Sequence, residues 1–336
     1  MSEAQAFTNA FDLVDVAEDG GLHAVWLAEL HFNPKRSVLA SPMLLAGAIG
    51  ARTSKIRIGT AVQILPLCHP LQLAEEAATV DHISHGRLIF GVGRSGFART
   101  YAAYGVPYTE SRERFAETLE IVRRAWTQET FTFEGKYFEY HDVCVVPKPL
   151  QQPHPPIRVA ATSVDTFPTI GAQGYDLFAA VRTGTLSELA PNVAAYRAAH
   201  ASAGHPGKGG VFLRVPVYVA ESFDEAVAAT RDSIMAFYRQ LGEQLEASAR
   251  EAGARAIEQR DVRGRRLQEA TFDEVLREKV IVGTPDMVIQ RLSEISEELD
   301  LDGILAELNC GGRVARDGVI RSLELLCRDV MPAFSN

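Results

Sequence analysis

The sequence predicts an α/β fold in which parallel strands and helices alternate and close as a TIM (β/α)8-type barrel with insertions. Three observations lead there. Apolar segments of strand length alternate with segments of helical spacing from residue 22 to 128 and again from 157 onward, the pattern of a parallel sheet covered by helices. The segment His23-Ala-Val-Trp-Leu-Ala-Glu-Leu30 is apolar on both faces for most of its length, as a strand is when helices cover one side and a barrel interior fills the other. Strands also run out into small residues, as in Ile56-Arg-Ile-Gly-Thr-Ala61 and Arg87-Leu-Ile-Phe-Gly-Val-Gly93, and the second delivers Arg94 at a strand's carboxyl end. That end carries the working residues of barrel enzymes, and a guanidinium there suits a phosphate.

In chain order, the first twenty residues read as a helix from Glu3 to Glu18. Strand Leu22–Leu30, helix Pro42–Arg52, strand Ile56–Leu65, helix Leu71–Ile83, strand Leu88–Arg94 and helix Arg112–Thr127 follow. From Phe131 to Pro149, aromatic residues flank Glu134-Gly135, which predicts a hairpin excursion that ends in the proline-rich Val146–Pro156. Alternation resumes with strand Ile157–Ala161, a helix through Gln173, strand Leu177–Val181, helix Ser187–Ala203 and strand Val211–Ala220. Ser222-Phe-Asp-Glu225 is a capping-box sequence for a long helix toward Gly253. The polar stretch Ala254–Glu278 reads as a solvated helix or a mobile loop, and a loop of that length is a candidate lid. Helix Thr284–Glu297, strand Gly303–Leu308 and helix Val319–Val330 close the chain. This gives seven strands where a closed sheet wants eight, and with a helix at the start the first barrel strand is read as missing or atypical. The whole of 1–336 is expected to be one barrel domain with insertions at about 129–155 and 254–282.

Composition narrows the function classes. A formal net charge of -9 leaves no basic stripe for a phosphodiester backbone, so a nucleic-acid partner is not expected. The longest apolar runs, such as Ser41–Gly50, are too short to span a bilayer, and Met1-Ser-Glu-Ala-Gln-Ala lacks a secretory signal's basic flank, which points to the cytosol. Cysteines 68, 144, 310 and 327 have neither metal nor redox spacing and read as reduced, buried thiols. A metal-dependent hydrolase would need converging His, Asp or Glu, but strand ends read Thr60-Ala-Val, Val92-Gly-Arg and Ala161-Thr-Ser, so no metal is expected.

Several fragments in order resemble the bacterial luciferase-like flavin monooxygenases: Val25-Trp-Leu-Ala-Glu-Leu-His-Phe32, Gly59-Thr-Ala-Val-Gln-Ile-Leu-Pro66, His69-Pro70, Ser84-His-Gly-Arg-Leu-Ile-Phe-Gly-Val-Gly-Arg94, Tyr104-Gly-Val-Pro107, Val282-Gly-Thr-Pro285 and Asp329-Val-Met-Pro332. The resemblance runs from about residue 11 to the carboxyl terminus. It implies a barrel that binds reduced FMN at the strands' carboxyl face, reacts it with dioxygen to a flavin hydroperoxide, and so oxygenates a small organic substrate. It further implies that Arg94, Arg112, Ser163 and Thr166 grip the flavin phosphate, and that a non-prolyl cis peptide between Ala61 and Val62 lies under the ring. Guanidinium groups and a strand-to-helix turn with free N–H groups are chemically apt for that task.

At Glu29-Leu-His31 the chain departs from the family's usual Glu-His-His. Leu30 replaces the histidine implicated in acid/base support, and His31 becomes the candidate catalytic or pocket residue. Because neighbours in extended chain face opposite ways, His31 does not simply take over. Gly93 stands where the light-emitting α subunit has a cysteine, which widens the pocket. His69 reads as a helix-start residue, Glu75 as a dipole partner or interface contact, and His82 and His85 as structural or solvated. The resemblance also implies a homodimer through Leu71–Ile83 and a separate flavin reductase. A deazaflavin-dependent oxidoreductase and a catalytically silent flavin-binding subunit are the alternatives.

Overall fold

The structure, a computed structural model, describes residues 2–34, 36–181, 184–249 and 257–334. Helix α1 (Glu3–Asp19) begins at Ser2, whose hydroxyl accepts the Gln5 N–H, and it buries Val14 and Ala17. After it come β1 (Ala24–Leu27), α2 (Pro42–Arg52), β2 (Arg57–Thr60), β3 (Gln63–Ile64), α3 (Pro70–Ile83) and β4 (Leu88–Gly93). Next are the short α4 (Ala98–Ala103), α5 (Ser111–Thr127), β5 (Phe131–Glu134), β6 (Glu139–Val143) and β7 (Ile157–Ala160). The chain divides into two compact units, His23–Ala160 and Met1–Leu22 with Ala161–Asn336.

Within His23–Ala160, β1 pairs with β2, β2 with β4, and β4 with β7, all parallel, while β3 extends the line of β2 and pairs farther along β4. β4 is buried at every position, and its Phe90 ring meets Trp126 of α5 edge-on with centroids 5.1 Å apart. The buried Arg87 guanidinium fastens this sheet's lower end. It donates to the carbonyls of Gly50, Thr53, Ile56 and Ser84 and to the Thr53 hydroxyl, so a charge that would be costly alone is fully paired. The predicted excursion is the antiparallel β5–β6 hairpin, and the proline-rich segment after it contains cis bonds before Pro147 and Pro153. Its Gln151 is tied back to the fully buried Asp81 at 2.7 and 2.9 Å.

The second unit continues with α6 (Thr166–Gln173), β8 (Asp176–Ala180), α7 (Leu186–Ser202), β9 (Val211–Val219), α8 (Phe223–Ala249), α9 (Ile257–Glu269), α10 (Phe272–Glu278), β10 (Ile281–Gly283), α11 (Pro285–Leu299), β11 (Gly303–Glu307) and α12 (Arg316–Leu325). The nine-residue β9 has three parallel partners, with β8 along its first half. β11 pairs with Phe212–Pro216 and β10 with Val217–Val219.

The start is helical, and among the described residues no strand precedes β1, which stands at the end of the sheet with β2 as its partner, as read. Ile281–Gly283 is a further short strand that the reading did not count; it pairs with β9, and its three residues are too few for a periodicity to show.

In the polar stretch 257–269 and 272–278 are helical, so helix rather than loop forms there, though as two helices that are partly buried rather than one solvated helix; 254–256 lie outside the described residues. Leu267, Phe272 and Val275 join Ile234, Phe237, Tyr238 and Leu241 of α8 in one buried cluster. At the α8–α9 crossing a Cβ on Gly242 would stand 2.6 Å from the Gly264 carbonyl oxygen, so the helices touch backbone to backbone. The capping box forms in full at Thr271 and Glu274, whereas at Ser222 the hydroxyl accepts the Glu225 N–H at 3.2 Å. All four cysteines are free, but only Cys310 is buried as expected; Cys68 and Cys327 are partly buried and Cys144 is exposed. Among the described residues no helix is long and apolar enough to cross a membrane, and no group of three metal-ligating side chains occurs.

Candidate active site

Most of the chemistry in the unit His23–Ala160 gathers where β1, β2 and β4 end. Thr60, the last residue of β2, locks to β4 through its hydroxyl, which donates to the Gly91 carbonyl at 2.6 Å and accepts the Gly91 N–H at 3.0 Å. The Ala61–Val62 peptide that follows is cis. Val62 lies against the end of β4, since a Cβ on Gly93 would come within 2.6 Å of its Cγ2; the cysteine-for-glycine difference therefore concerns space that Val62 occupies here.

Arg94 directly follows β4. Its guanidinium donates to Ser111 Oγ at 3.1 Å, and its carbonyl accepts the hydroxyl of Tyr101, a fully buried residue of α4. Burial pushes the Tyr101 hydroxyl well above the usual tyrosine range, so it stays a donor. Both ends of Arg94 are thus fixed before any ligand arrives. Arg112 is the next residue after Ser111 in the first turn of α5 and is half-buried. Ser163 and Thr166 belong to the other unit, where their hydroxyls lie 2.7 Å apart as α6 begins and the Thr166 N–H donates to the Ser163 carbonyl.

Beyond β1 the chain leaves the ladder, and the Leu30 N–H is taken by the Leu39 carbonyl. Glu29 and His31 lie two apart, and their side chains turn to one another with His31 Nε2 2.6 Å from Glu29 Oε1, both nearly buried at 6% and 5% side-chain exposure. The other carboxylate oxygen accepts the Ile64 N–H and the Gln63 amide N–H, each at 2.7 Å. Gln63 also donates to Cys68 Sγ at 3.3 Å. Burial, reinforced by Glu29, pushes the Cys68 thiol up to about 12, so it is inert as a nucleophile. Tyr104, just past α4, closes the set with its hydroxyl 3.2 Å from His31 Nδ1 and its ring edge-on to the imidazole.

Two backbone outliers mark the same place. Phe32 and Ser95, the residues directly after His31 and Arg94, have φ of 54° and 58°. A phenylalanine rarely adopts the left-handed region, and such conformations concentrate at functional sites.

Gln63 Oε1 is buried and has no hydrogen-bond partner in a residue only 6% exposed. An orphaned buried acceptor one residue from Val62, a braced guanidinium and small residues at the strand ends together fit a bound coenzyme with a polar ring edge and an anionic tail.

Sequence reading named Arg94, Ala61, Val62 and His31 but missed Glu29 as the partner of His31, and Gln63, Tyr104, Tyr101 and Ser111 altogether. Gln63 carried a signal, as the one polar residue in Ala61-Val-Gln-Ile-Leu65; so did the i, i+2 spacing of Glu29 and His31. His69 is the N-cap of α3, as read. His82 bonds the Lys148 carbonyl at 2.8 Å, a structural role.

Comparison with known proteins accords with this geometry. The family model for luciferase-like monooxygenases matches residues 1–302. The oxygenase component of the flavin-dependent trigonelline monooxygenase of Acinetobacter baylyi is 26% identical over 100% of this chain and 92% of its own. Among solved structures, the oxygenating constituent of 3,6-diketocamphane monooxygenase from Pseudomonas putida, in complex with FMN, superposes with a TM-score of 0.80 at 20% identity, covering 99% of this chain and 94% of that one. The coenzyme F420-dependent tetrahydromethanopterin reductase of Methanopyrus kandleri gives 0.75 at 20% identity, covering 98% and 96%. Likeness of this extent shows the fold to be the TIM-type barrel, and the chain belongs to the luciferase-like monooxygenase family.

Proposed function

We propose that this chain is the oxygenase of a two-component system, a reduced-flavin-dependent monooxygenase acting on a small organic substrate, with reduced FMN delivered by a separate flavin reductase in the cytosol. The observation that carries the reading is the full-length likeness to an oxygenase component. The braced Arg94 supports it.

Arg94 and Arg112 would bind the coenzyme phosphate. Ala61 and Val62 would bring backbone close to the ring. When bound, the reduced flavin supplies two electrons and the activation of dioxygen. The protein's own share is orientation and shelter: Ala61, Val62 and Gly93 would present apolar surface that keeps water from the ring, and Gln63 Oε1, buried without a partner, would be available to accept a hydrogen bond from it. His31, paired with Glu29, holds or releases a proton at its ring nitrogens. Pairing of two copies through α3 completes the reading; its last residue, Ile83, is 41% exposed.

Anaerobic titration with reduced FMN, followed by admission of oxygen, tests the reading. Binding followed by flavin reoxidation at a rate altered from that of free FMN supports it; absence of binding overturns it. A second reading, a deazaflavin-dependent oxidoreductase, is favoured by the likeness to the F420-dependent reductase. It predicts tighter binding of the deazaflavin and no oxygen reaction.

A further inference from the structure

Tyr104 has no part in gripping a coenzyme phosphate, yet its hydroxyl reaches a nearly buried imidazole whose other nitrogen is held by a carboxylate. A neutral imidazole has one N–H and one acceptor nitrogen. Glu29 Oε1, at 2.6 Å, can only accept, so in the neutral ring Nε2 carries the hydrogen. Nδ1 is then the acceptor, and Tyr104 must donate into it. The tautomer and the direction of every bond follow from the fixed end of the chain, because Glu29 Oε2 is itself occupied by the Ile64 and Gln63 N–H groups. This is the order of a carboxylate–imidazole–hydroxyl triad, with a phenol as the terminal group.

We propose that Glu29, His31 and Tyr104 form a proton relay in which Tyr104 is the group that meets the substrate and takes a proton from a hydroxyl or N–H it carries. As the substrate's O–H or N–H bond breaks, its proton moves to Tyr104 Oη and the phenolic proton moves to His31 Nδ1. The imidazolium so formed faces Glu29, the carboxylate that keeps its charge compensated. The proton returns to water when the site opens, and no oxidant is consumed. Tyr104 is 46% exposed, which leaves its oxygen reachable, while His31 and Glu29 are sheltered. The other titratable group beside the phenol is the Cys68 thiol, which burial keeps neutral, and burial with Glu29 raises the Tyr104 hydroxyl, so the phenol is protonated at rest. The relay would also answer the loss of a histidine at Leu30, since a tyrosine from another segment supplies the group that position lacks. It rests on the proposed function only in calling the proton donor a substrate.

The test needs no knowledge of that substrate. A phenol backed by an imidazole base attacks an activated ester: with 4-nitrophenyl acetate, Tyr104 Oη bonds the acetyl carbon, 4-nitrophenolate leaves, and the phenolic proton passes through His31 to water. In the full-length protein at about pH 7.5, peptide mapping should find Tyr104 acetylated at least about tenfold faster than N-acetyltyrosinamide in the same solution. Glu29→Gln should slow it at least about tenfold, and Tyr104→Phe should abolish that modification. Acetylation of Tyr104 no faster than the model phenol, or a rate untouched by Glu29→Gln, overturns the relay. Nitrogen-15 spectra of His31 in the unsubstituted protein supply a readout free of folding artefacts. A protonated Nε2 and a bare Nδ1 are expected at neutral pH, with the Nδ1 resonance shifting in Tyr104→Phe; a protonated Nδ1 in the neutral ring overturns the relay. FMN titration of the same samples separates the two readings, because failure to bind FMN counts against the flavin reading alone.

Discussion

Arg94→Ala should weaken binding of reduced FMN by about 30-fold. The guanidinium is held in place in the free protein by Ser111 Oγ at 3.1 Å, and its own backbone is held by Tyr101, so little side-chain freedom remains to be lost on binding. A charge-assisted hydrogen bond to phosphate contributes about 2 kcal/mol net, and about 1.4 kcal/mol is a factor of ten. The substitution also leaves Ser111, which is 2% exposed, without this donor, at a cost of about 1 kcal/mol in stability. Two assays separate these effects. Anaerobic fluorescence titration reads affinity, and urea unfolding reads stability. Arg94→Lys keeps the charge but loses the planar fork, and should fall between the two proteins in affinity. Unchanged affinity for FMN in Arg94→Ala would refute the argument, as would a loss matched by riboflavin, which has no phosphate to grip.

Arg87→Met should lower stability by about 3–5 kcal/mol, because five acceptors at the sheet's lower end lose their donor at once; thermal unfolding reads it, and FMN affinity of the folded fraction should hold. Gly242→Ala should cost about 1–3 kcal/mol by forcing α8 away from the Gly264 carbonyl, where Gly47→Ala, with nothing closer than 3.9 Å, should be near neutral. In the unfolded chain a thiol ionises from about pH 9 upward, whereas Cys68 in the folded protein holds its proton up to about 12. The native state therefore binds the extra proton between those values, and this contribution, complete below pH 9, is lost as pH rises, to a ceiling of about 4 kcal/mol. Urea midpoints from pH 8 to 10.5 should fall less steeply in Cys68→Ala; parallel slopes would count against it.

The alternation of the chain made the fold legible because each strand buried on both faces shows as a short apolar run bounded by helical spacing. Leu88–Gly93, buried at all six positions, is the clearest instance. β10 was not legible because its three residues carry no period of their own. It is a strand only because the nine-residue β9 offers Val217–Val219 as an edge. The helices α9 and α10 were obscured for a related reason. Their apolar stripe is Leu267, Phe272 and Val275, thin enough to be lost among charges, and it becomes a core only against the aromatic face of α8. In both cases a local pattern was too weak to speak, and a long-range partner decided the outcome.

The site divides along the same line. Arg94 stood out as a candidate because a charged residue following a buried strand has few structural uses, whereas Ala61 and Val62 were named only through the family resemblance, which implies the cis peptide found between them. What the sequence withheld is pairing. Nothing in the order of residues says that Tyr104, 73 positions from His31, lies within hydrogen-bond reach of it, or that Ser111 steadies Arg94. The consequence is chemical. Taken alone, His31 is a histidine in the wrong register to replace the one absent at Leu30, and a silent protein would follow. Joined to Glu29 on one nitrogen and Tyr104 on the other, it gains a fixed tautomer and a reachable terminal hydroxyl, which a lone imidazole lacks. Leu30 then marks a different route for the proton, and the Glu29→Gln and Tyr104→Phe proteins decide whether that route is used.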